Sequence, residues 1–252
     1  AVFDGHNNGY GLSVTGSQGI TLTDSQITNF VRGAIFSDSS DLTIAGNDIA
    51  AMRSDGLNFG GVRDVRITDN TIHDFRSLQG GNDHPDMIQI WTRGTDAPST
   101  GITISGNRLD IGDGTAAQSI FIRNDLVDRG LAGADMYYRD ITITDNVIVN
   151  AQTHGITVGE TDGLVIANNT VLHADGGNDD GADASVEIPR IHVAEKAVNV
   201  RITDNISAGI TGVTDEDQDS WTVAGNVTVQ DQNPHAPGFY GEVFIASTLT
   251  TT

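Results

Sequence analysis

A short cluster of carboxylate and imidazole side chains is the first part of the sequence that could carry chemistry. Asp83, His84 and Asp86 lie within four residues of one another, and Gln89 and Trp91 follow directly. Two carboxylates beside an imidazole can act as a general acid and base, or they can bind a cation such as calcium. An exposed tryptophan nearby could stack on a sugar ring. The competing interpretation is a solvated turn, because Asn-Asp-Xaa-Pro is also a good turn sequence.

A second candidate group surrounds Arg123, because a guanidinium can bind a carboxylate bidentately and neutralise its charge. Tyr137 and Tyr138 follow it in the chain. A tyrosine can donate or accept a proton when a neighbouring cation lowers its pKa. The alternative is that Arg123 pairs with Asp125 or Asp128 and that the tyrosines pack a loop.

Two histidines lie on later segments that alternate apolar and polar residues. His154 precedes one such segment, and His192 lies inside the next, between Arg190 and Lys196. A lone histidine is more often a polar surface residue than a catalytic one. Two of them on neighbouring segments, close to an arginine, favour a site. Lys196 is the sole lysine of the chain, and it is either an exposed turn residue or a base.

These candidates are positioned by an internal repeat. A phrase of alternating apolar residues that closes in asparagine, such as Asp64-Val-Arg-Ile-Thr-Asp-Asn70, recurs along the chain. Its closing residues are Ser25, Asn47, Asn70, Asn107, Asn146, Asn169, Asn205 and Asn226. Steps of 21 to 23 residues between them mark minimal coils, and steps of 36 to 39 residues mark coils with inserted loops.

The alternation within each phrase is the period of a half-buried strand. An asparagine at a fixed turn position can adopt the left-handed backbone and hydrogen-bond to its stacked neighbours. Because one coil cannot bury its own apolar face, such coils must stack. The repeat therefore predicts an all-β, right-handed parallel β-helix of about eight coils, with residues 1–252 as one domain. The opening Ala1-Val-Phe-Asp-Gly5 is typical of the middle of a coil, which predicts a piece of a longer protein.

A second alternating strand precedes each phrase and aligns one outward position per coil. That column contains Ser13, Asn58, Gln89, Phe121, Thr157 and His192. Rungs of a parallel sheet lie about 4.8 Å apart, so six of them give a groove floor of roughly 25 Å, long enough for several sugar units. We therefore predict substrate contacts from Asn58, Gln89, Trp91, Arg190 and Lys196.

Composition excludes some classes of function. With 34 acidic against 13 basic residues, the net charge is −21, and this disfavours nucleic acid as a partner. The chain has no cysteine, which excludes disulfides and thiolate metal sites, and no apolar run long enough to span a membrane. Calcium is the candidate cofactor, with Asp83 and Asp86 as ligands. The acidic, glycine-rich stretch 176–183 is either a loop or a second calcium site. The oligomeric state is left open.

The asparagine phrases, together with Phe3-Asp-Gly5 and Gly9-Tyr-Gly-Leu-Ser-Val14, resemble the pectin-lyase-like right-handed β-helix superfamily. The resemblance covers nearly the whole chain and is specific for the fold rather than for an activity. Members include polysaccharide lyases, mannuronan C5-epimerases, polygalacturonase-type hydrolases and phage tailspikes. The cluster 83–86 is similar to the Asp-Pro-His motif of the epimerases but has another order, and the polygalacturonase motifs are not present. The likeness to secreted β-helix enzymes implies a bacterial, extracellular location.

The resemblance and the groove together predict a carbohydrate-active enzyme that abstracts the C5 proton of a uronic-acid-containing polysaccharide, as a lyase or an epimerase. Such chemistry needs a base, an acid and a group that neutralises the carboxylate. The catalytic candidates are His84, Arg123, His154, His192 and Tyr138. His84 or His154 would be the base, with a tyrosine or His192 as its partner. Arg123, or calcium, would neutralise the uronate.

Two other functions remain open on the sequence. A glycoside hydrolase could use Asp83 or Asp86 together with Glu160 as paired carboxylates. A non-catalytic carbohydrate-binding or structural β-helix would keep aromatic side chains in the groove without a convergent acid and base.

Overall fold

The alternating phrases form stacked strands in three parallel sheets. The computed structural model describes residues 1–78, 84–174, 187–213 and 220–244. Sheet 1 contains Val2–Asp4, Gln26–Thr28, Asp48–Ala50, Thr71–His73, Arg108–Asp110, Val147–Asn150, Thr170–His173, Ile206–Ser207 and Val227–Thr228. Sheet 2 contains Tyr10–Thr15, Arg32–Ser37, Leu57–Gly60, Asp86–Trp91, Gln118–Arg123, His154–Val158, Arg190–Val193 and Ile210–Thr211. Sheet 3 contains Gln18–Thr23, Ser40–Ala45, Arg63–Thr68, Thr100–Ser105, Tyr138–Thr144, Thr161–Ala167, Val198–Thr203 and Trp221–Ala224.

Each coil of the chain contributes one strand to each sheet, and every strand pairs in parallel with its counterpart in the next coil. In sheet 3 the inward residues therefore stack as a column of Leu42, Val65, Ile102, Ile141, Leu164 and Val200. All of these side chains are buried, so the apolar half of each phrase forms the core, as the alternation predicts. The right-handed parallel β-helix of about eight coils is confirmed. That residues 1–252 form one domain stays a prediction.

The closing asparagines form a buried ladder at the turn between sheets 3 and 1. Each side-chain amide donates to the amide oxygen of the next asparagine at 2.9 Å, from Asn47 through to Asn226. The predicted stacking is confirmed, but the left-handed backbone belongs to the residue before each asparagine. Gly46 has φ +64° and Asp69 has φ +55°. Glycine and aspartate tolerate that conformation, which explains their place in the phrase.

Short helices lie outside the sheets, at Asp125–Asp128, at the 3₁₀ turn Ala134–Met136 and at Tyr240–Val243. In the described part of the chain, no helix is long and apolar enough to cross a membrane. The acidic stretch 176–183 lies outside the described residues.

Candidate functional site

The outward face of sheet 2 forms the predicted groove. Backbone pairing places one outward column in register, made of Ser13, Ile35, Asn58, Gln89, Phe121, Thr157, His192 and Thr211. This column contains every residue that the sequence alignment placed there, and it adds Ile35 and Thr211. Trp91 and Arg123 pair with each other two residues further along the strands. The groove register is therefore confirmed.

Four of the predicted catalytic residues line one cavity of about 360 Å³, which we call the histidine cavity. They are His84, Arg123, His154 and His192, and the phenyl ring of Phe121 lies among them. The Phe121 ring centroid is 5.0 Å from that of His154 and 6.0 Å from that of His84. His84, which lies just before the strand Asp86–Trp91, thus lines the same cavity as histidines from two later coils.

The environment of His154 favours its neutral form. Its Nδ1 lies 2.8 Å from the hydroxyl of Thr157. Burial lowers the pKa of His154, and repulsion from His192 and His84 lowers it further. If the Nδ1 proton is donated to Thr157, the Nε2 lone pair is left to accept a proton at neutral pH.

The environment of His84 has the opposite effect. Its Nδ1 lies 3.4 Å from Oδ2 of Asp86, and this carboxylate holds the pKa of His84 above its ordinary value. The Nε2 atom of His84 lies 3.3 Å from the side-chain amide of Gln118. His84 is therefore the more readily protonated of the two histidines.

Two buried carboxylates, Asp86 and Asp55, lie beneath His84. The sequence analysis did not identify Asp55. Asp86 is fully buried, and this burial raises its pKa to about 7. The backbone N–H of Asp86 donates to Asp55 at 3.3 Å. Burial raises the pKa of Asp55 too, and the Arg32 guanidinium 2.7 Å away opposes that rise. Leu57 and Ile88 pair in register, and Asp55 and Asp86 each lie two residues before them. Alignment of the two coils would therefore have placed Asp55 beside Asp86.

Arg123 reaches the cavity but already has acidic partners. Its Nε donates to Oδ2 of Asp128 at 2.7 Å and lies 3.9 Å from Asp125. Both carboxylates belong to the short helix that follows Arg123. The predicted local pairing is therefore present, and it offsets part of the charge that Arg123 could offer a ligand.

The predicted role of Tyr138 as a proton donor in the groove is wrong. Its side chain is fully buried, and its hydroxyl donates to the carbonyl of Arg123 at 2.8 Å. Burial raises the pKa of Tyr138 well above its ordinary value, and it raises that of Tyr137 as well. Neither tyrosine has the lowered pKa that the proposed acid–base role required.

The calcium site predicted at Asp83 and Asp86 stays a prediction. The Asp86 carboxylate is buried against His84 and accepts a hydrogen bond from Gln89 at 2.5 Å. Asp83 lies outside the described residues. Among the residues that the structure describes, no three histidine or acidic side chains are grouped to hold a metal ion.

The predicted substrate contacts divide between two places. Asn58, Gln89 and Trp91 line a second cavity of about 380 Å³, together with Arg32, Arg93 and Asp125, which we call the tryptophan cavity. Asn58 is buried rather than exposed, and its amide donates to Gln89 at 2.9 Å. Arg190 pairs along the backbone with His154, and Lys196 is exposed, but neither is among the described lining residues of these cavities.

Comparison with known families supports the architecture. Residues 2–84 match the family described as the right-handed β-helix region. The chain is a right-handed β-helix. The fold that the sequence resemblance implies is thus confirmed. A comparison of this β-helix with curated proteins gives no significant match.

Solved structures with the same architecture are distant. A mutant DFA-IIIase from Arthrobacter chlorophenolicus A6 in complex with DFA-III is 10% identical, with a TM-score of 0.49 over 93% of the β-helix and 46% of that chain. Another DFA-IIIase structure from that organism is 14% identical, with a TM-score of 0.42 over 81% and 53% of the chains. An alginate lyase from Paenibacillus sp. str. FPU-7 is 17% identical, with a TM-score of 0.38 over 90% and 78%. The β-helix spans about half the length of the DFA-IIIase chains, and likenesses this distant carry no argument about activity.

Proposed function

We propose that this chain belongs to an enzyme that binds a uronic-acid-containing polysaccharide in the sheet 2 groove and removes the C5 proton of one sugar. One observation carries the proposal: His84 and His154, from different coils, line one cavity together with Arg123. Their pKa values are displaced in opposite directions, each for a separate physical cause. Pairs of groups displaced in this way are typical of a general base and a general acid. His154 is the base and His84 is the acid.

The chemistry follows from these two roles. Nε2 of His154 takes the C5 proton, and the electron pair of the broken C–H bond moves onto the uronate carboxylate. In an elimination, that pair then forms a C4=C5 double bond while the C4–O bond breaks and His84 protonates the leaving oxygen. In an epimerisation, His84 instead returns a proton to C5 from the opposite face. Lyase and epimerase therefore use the same two histidines and differ in the atom that His84 protonates.

The negative charge formed on the uronate must be offset locally. The chain as a whole carries −21, which repels an anionic polymer. The groove nevertheless gathers Arg32, Arg93 and Arg123 within its two cavities. Arg123 is the arginine of the histidine cavity, and we assign to it the neutralisation of the reacting carboxylate. Calcium and export from a bacterial cell remain expectations from the sequence.

A glycoside hydrolase is less well supported. That reaction needs two carboxyl groups facing the scissile bond. Among the described residues that line the histidine cavity, Asp128 is the sole carboxylate, and it is paired with Arg123. Asp86 and Glu160 are buried.

The direct test is incubation of the protein with alginate, pectin and neutral polysaccharides, with and without calcium. We expect either the ultraviolet absorbance of an unsaturated uronate product or a change of C5 configuration in the NMR spectrum of the polymer. New reducing ends without that absorbance would indicate hydrolysis. An unchanged polymer across the panel would contradict an enzymatic role and leave a binding or structural β-helix.

The pH profile of kcat/KM should be bell-shaped. His154 must be neutral to act, so activity should rise as the pH increases through its pKa, which is lowered from 6.5. His84 must be protonated, so activity should fall as the pH passes its pKa, which is raised from 6.5. The acid limb of the profile should therefore lie below pH 6.5 and the alkaline limb above it. His84→Gln should remove the alkaline limb. Activity that keeps rising from neutral into alkaline pH in the unmodified protein would contradict these assignments.

A further inference from the structure

We propose that the tryptophan cavity is an anion-selective sugar site, which holds the uronate unit next to the one that reacts. The inference deepens the proposed function, since it assigns a carboxylated sugar to a part of the groove that performs no chemistry. Its two recognition elements are the indole of Trp91 and the guanidinium of Arg93. They would make the protein select a chain of uronates over a single one.

The two cavities lie on neighbouring rungs of the groove. Trp91 of the tryptophan cavity pairs along the backbone with Arg123 of the histidine cavity, and Gln89 pairs with Phe121 in the same way. Neighbouring rungs of a parallel sheet lie about 4.8 Å apart. A polymer lying along the groove would therefore occupy both cavities at once.

The Trp91 indole is held against the backbone of the preceding coil. A Cβ atom placed on Gly60 would lie 2.8 Å from Cε2 and 3.0 Å from Nε1 of Trp91. The indole therefore packs directly on Gly60, where a larger residue would collide with it. The side chain is half-buried. A ring fixed in this way can stack on a sugar at little cost in conformational entropy.

Arg93 is the cation of this cavity that has no acidic partner among the residues that the structure describes. Arg32 is paired with Asp55 at 2.7 Å. The cavity's own carboxylate, Asp125, lies 3.9 Å from both Arg123 and Arg129. Arg93 is exposed, so its guanidinium is available to a ligand carboxylate.

The polar floor of the cavity is fixed by its own hydrogen bonds. The amide of Asn58 donates to Gln89, and the amide of Gln89 donates to Asp86. This chain of hydrogen bonds links the tryptophan cavity to the carboxylate that supports His84.

Tryptophan fluorescence can test this inference without any turnover. The chain has two tryptophans, and the other one, Trp221, is buried with its Nε1 donating to Ala197 at 2.8 Å. Trp91 is thus the reporter. Oligouronates of increasing length and neutral oligosaccharides of matched length would be titrated into His154→Gln protein, in which conversion is blocked.

We expect a fluorescence change with oligouronates of two or more units, and Trp91→Phe should abolish it. Arg93→Gln should weaken oligouronate binding about tenfold, as expected for loss of a charge-assisted hydrogen bond, and leave neutral ligands unaffected. Arg66→Gln is the matched control, since Arg66 is an exposed arginine of sheet 3.

Three outcomes would overturn the inference: no oligouronate binding, an Arg93→Gln affinity equal to that of the Arg66→Gln control, or a fluorescence change that survives Trp91→Phe. The last two outcomes contradict this inference alone, because they measure how two residues contribute to affinity. Absence of all oligouronate binding would contradict the proposed function as well, which the polysaccharide panel tests separately. Binding without turnover would contradict only the chemistry, and turnover without the Arg93 effect would contradict only the second sugar site.

Discussion

Replacing His154 with glutamine should lower kcat on the uronate polymer by about 10²-fold or more, the range that general bases contribute. Glutamine keeps a polar side chain of similar length beside Thr157 but cannot accept the C5 proton. KM should change little, because the arginines and Trp91 remain in the groove. The measurement is steady-state kinetics on the polysaccharide that the panel identifies.

The matched control is His235→Gln, which replaces an exposed histidine of the C-terminal segment outside both cavities. It should retain full activity. Unchanged thermal unfolding of His154→Gln would show that the loss is chemical rather than structural. If His154→Gln kept more than about a tenth of the activity, a loss too small for a general base, His154 could not hold that role.

The largest effect on stability should come from the middle of the asparagine ladder. Asn107 accepts hydrogen bonds from the backbone N–H and the side-chain amide of Asn70, and it donates to Ile67 and Asn146. Asn107→Ala would leave several of these groups buried without a partner, at about 1–3 kcal/mol each. We expect a loss of about 3 kcal/mol in the free energy of unfolding, measured by chemical denaturation.

Asn226→Ala is the matched control for that experiment. Asn226 is the last member of the same ladder and is half-buried; it accepts from Asn205 and donates to Ile202, whereas Asn107 also donates to the next asparagine. Water can replace some of the hydrogen bonds that Asn226→Ala removes, so the loss in the free energy of unfolding should be smaller than for Asn107→Ala. Equal losses from the two substitutions would mean that stacking of the amides does not stabilise the turn.

The fold could be predicted from the sequence because each coil repeats one local rule. The apolar positions of a phrase such as Asp64–Asn70 fix which face is buried, and the closing asparagine marks the same turn in every coil. Register then follows from stacking. This is why the sequence alone places Gln89, Phe121 and His192 in one column, as the backbone pairing does.

The candidate site was less predictable because its details depend on how the inserted loops fold. Strict alternation places Tyr138 on the outward face of its strand, yet Asp140, with φ +54°, interrupts the alternation and Tyr138 packs in the core. Asp86 reads as a solvated turn residue, yet its coil stacks it against Asp55. Sequence spacing gives the rung of a residue, but local breaks in the alternation and contacts with the neighbouring coil decide its exposure.

The most direct test of the proposed chemistry is exchange at C5 in deuterium oxide. The identified polymer would be incubated with the unmodified protein and with His154→Gln, and its H5 resonances would be followed by proton NMR. We predict that the polymer loses H5 when it is incubated with the unmodified protein, because H5 is replaced by deuterium in an epimerase reaction or removed in a lyase reaction. The polymer should retain H5 when it is incubated with His154→Gln. Cleavage or modification of the polymer with H5 fully retained would contradict proton abstraction at C5.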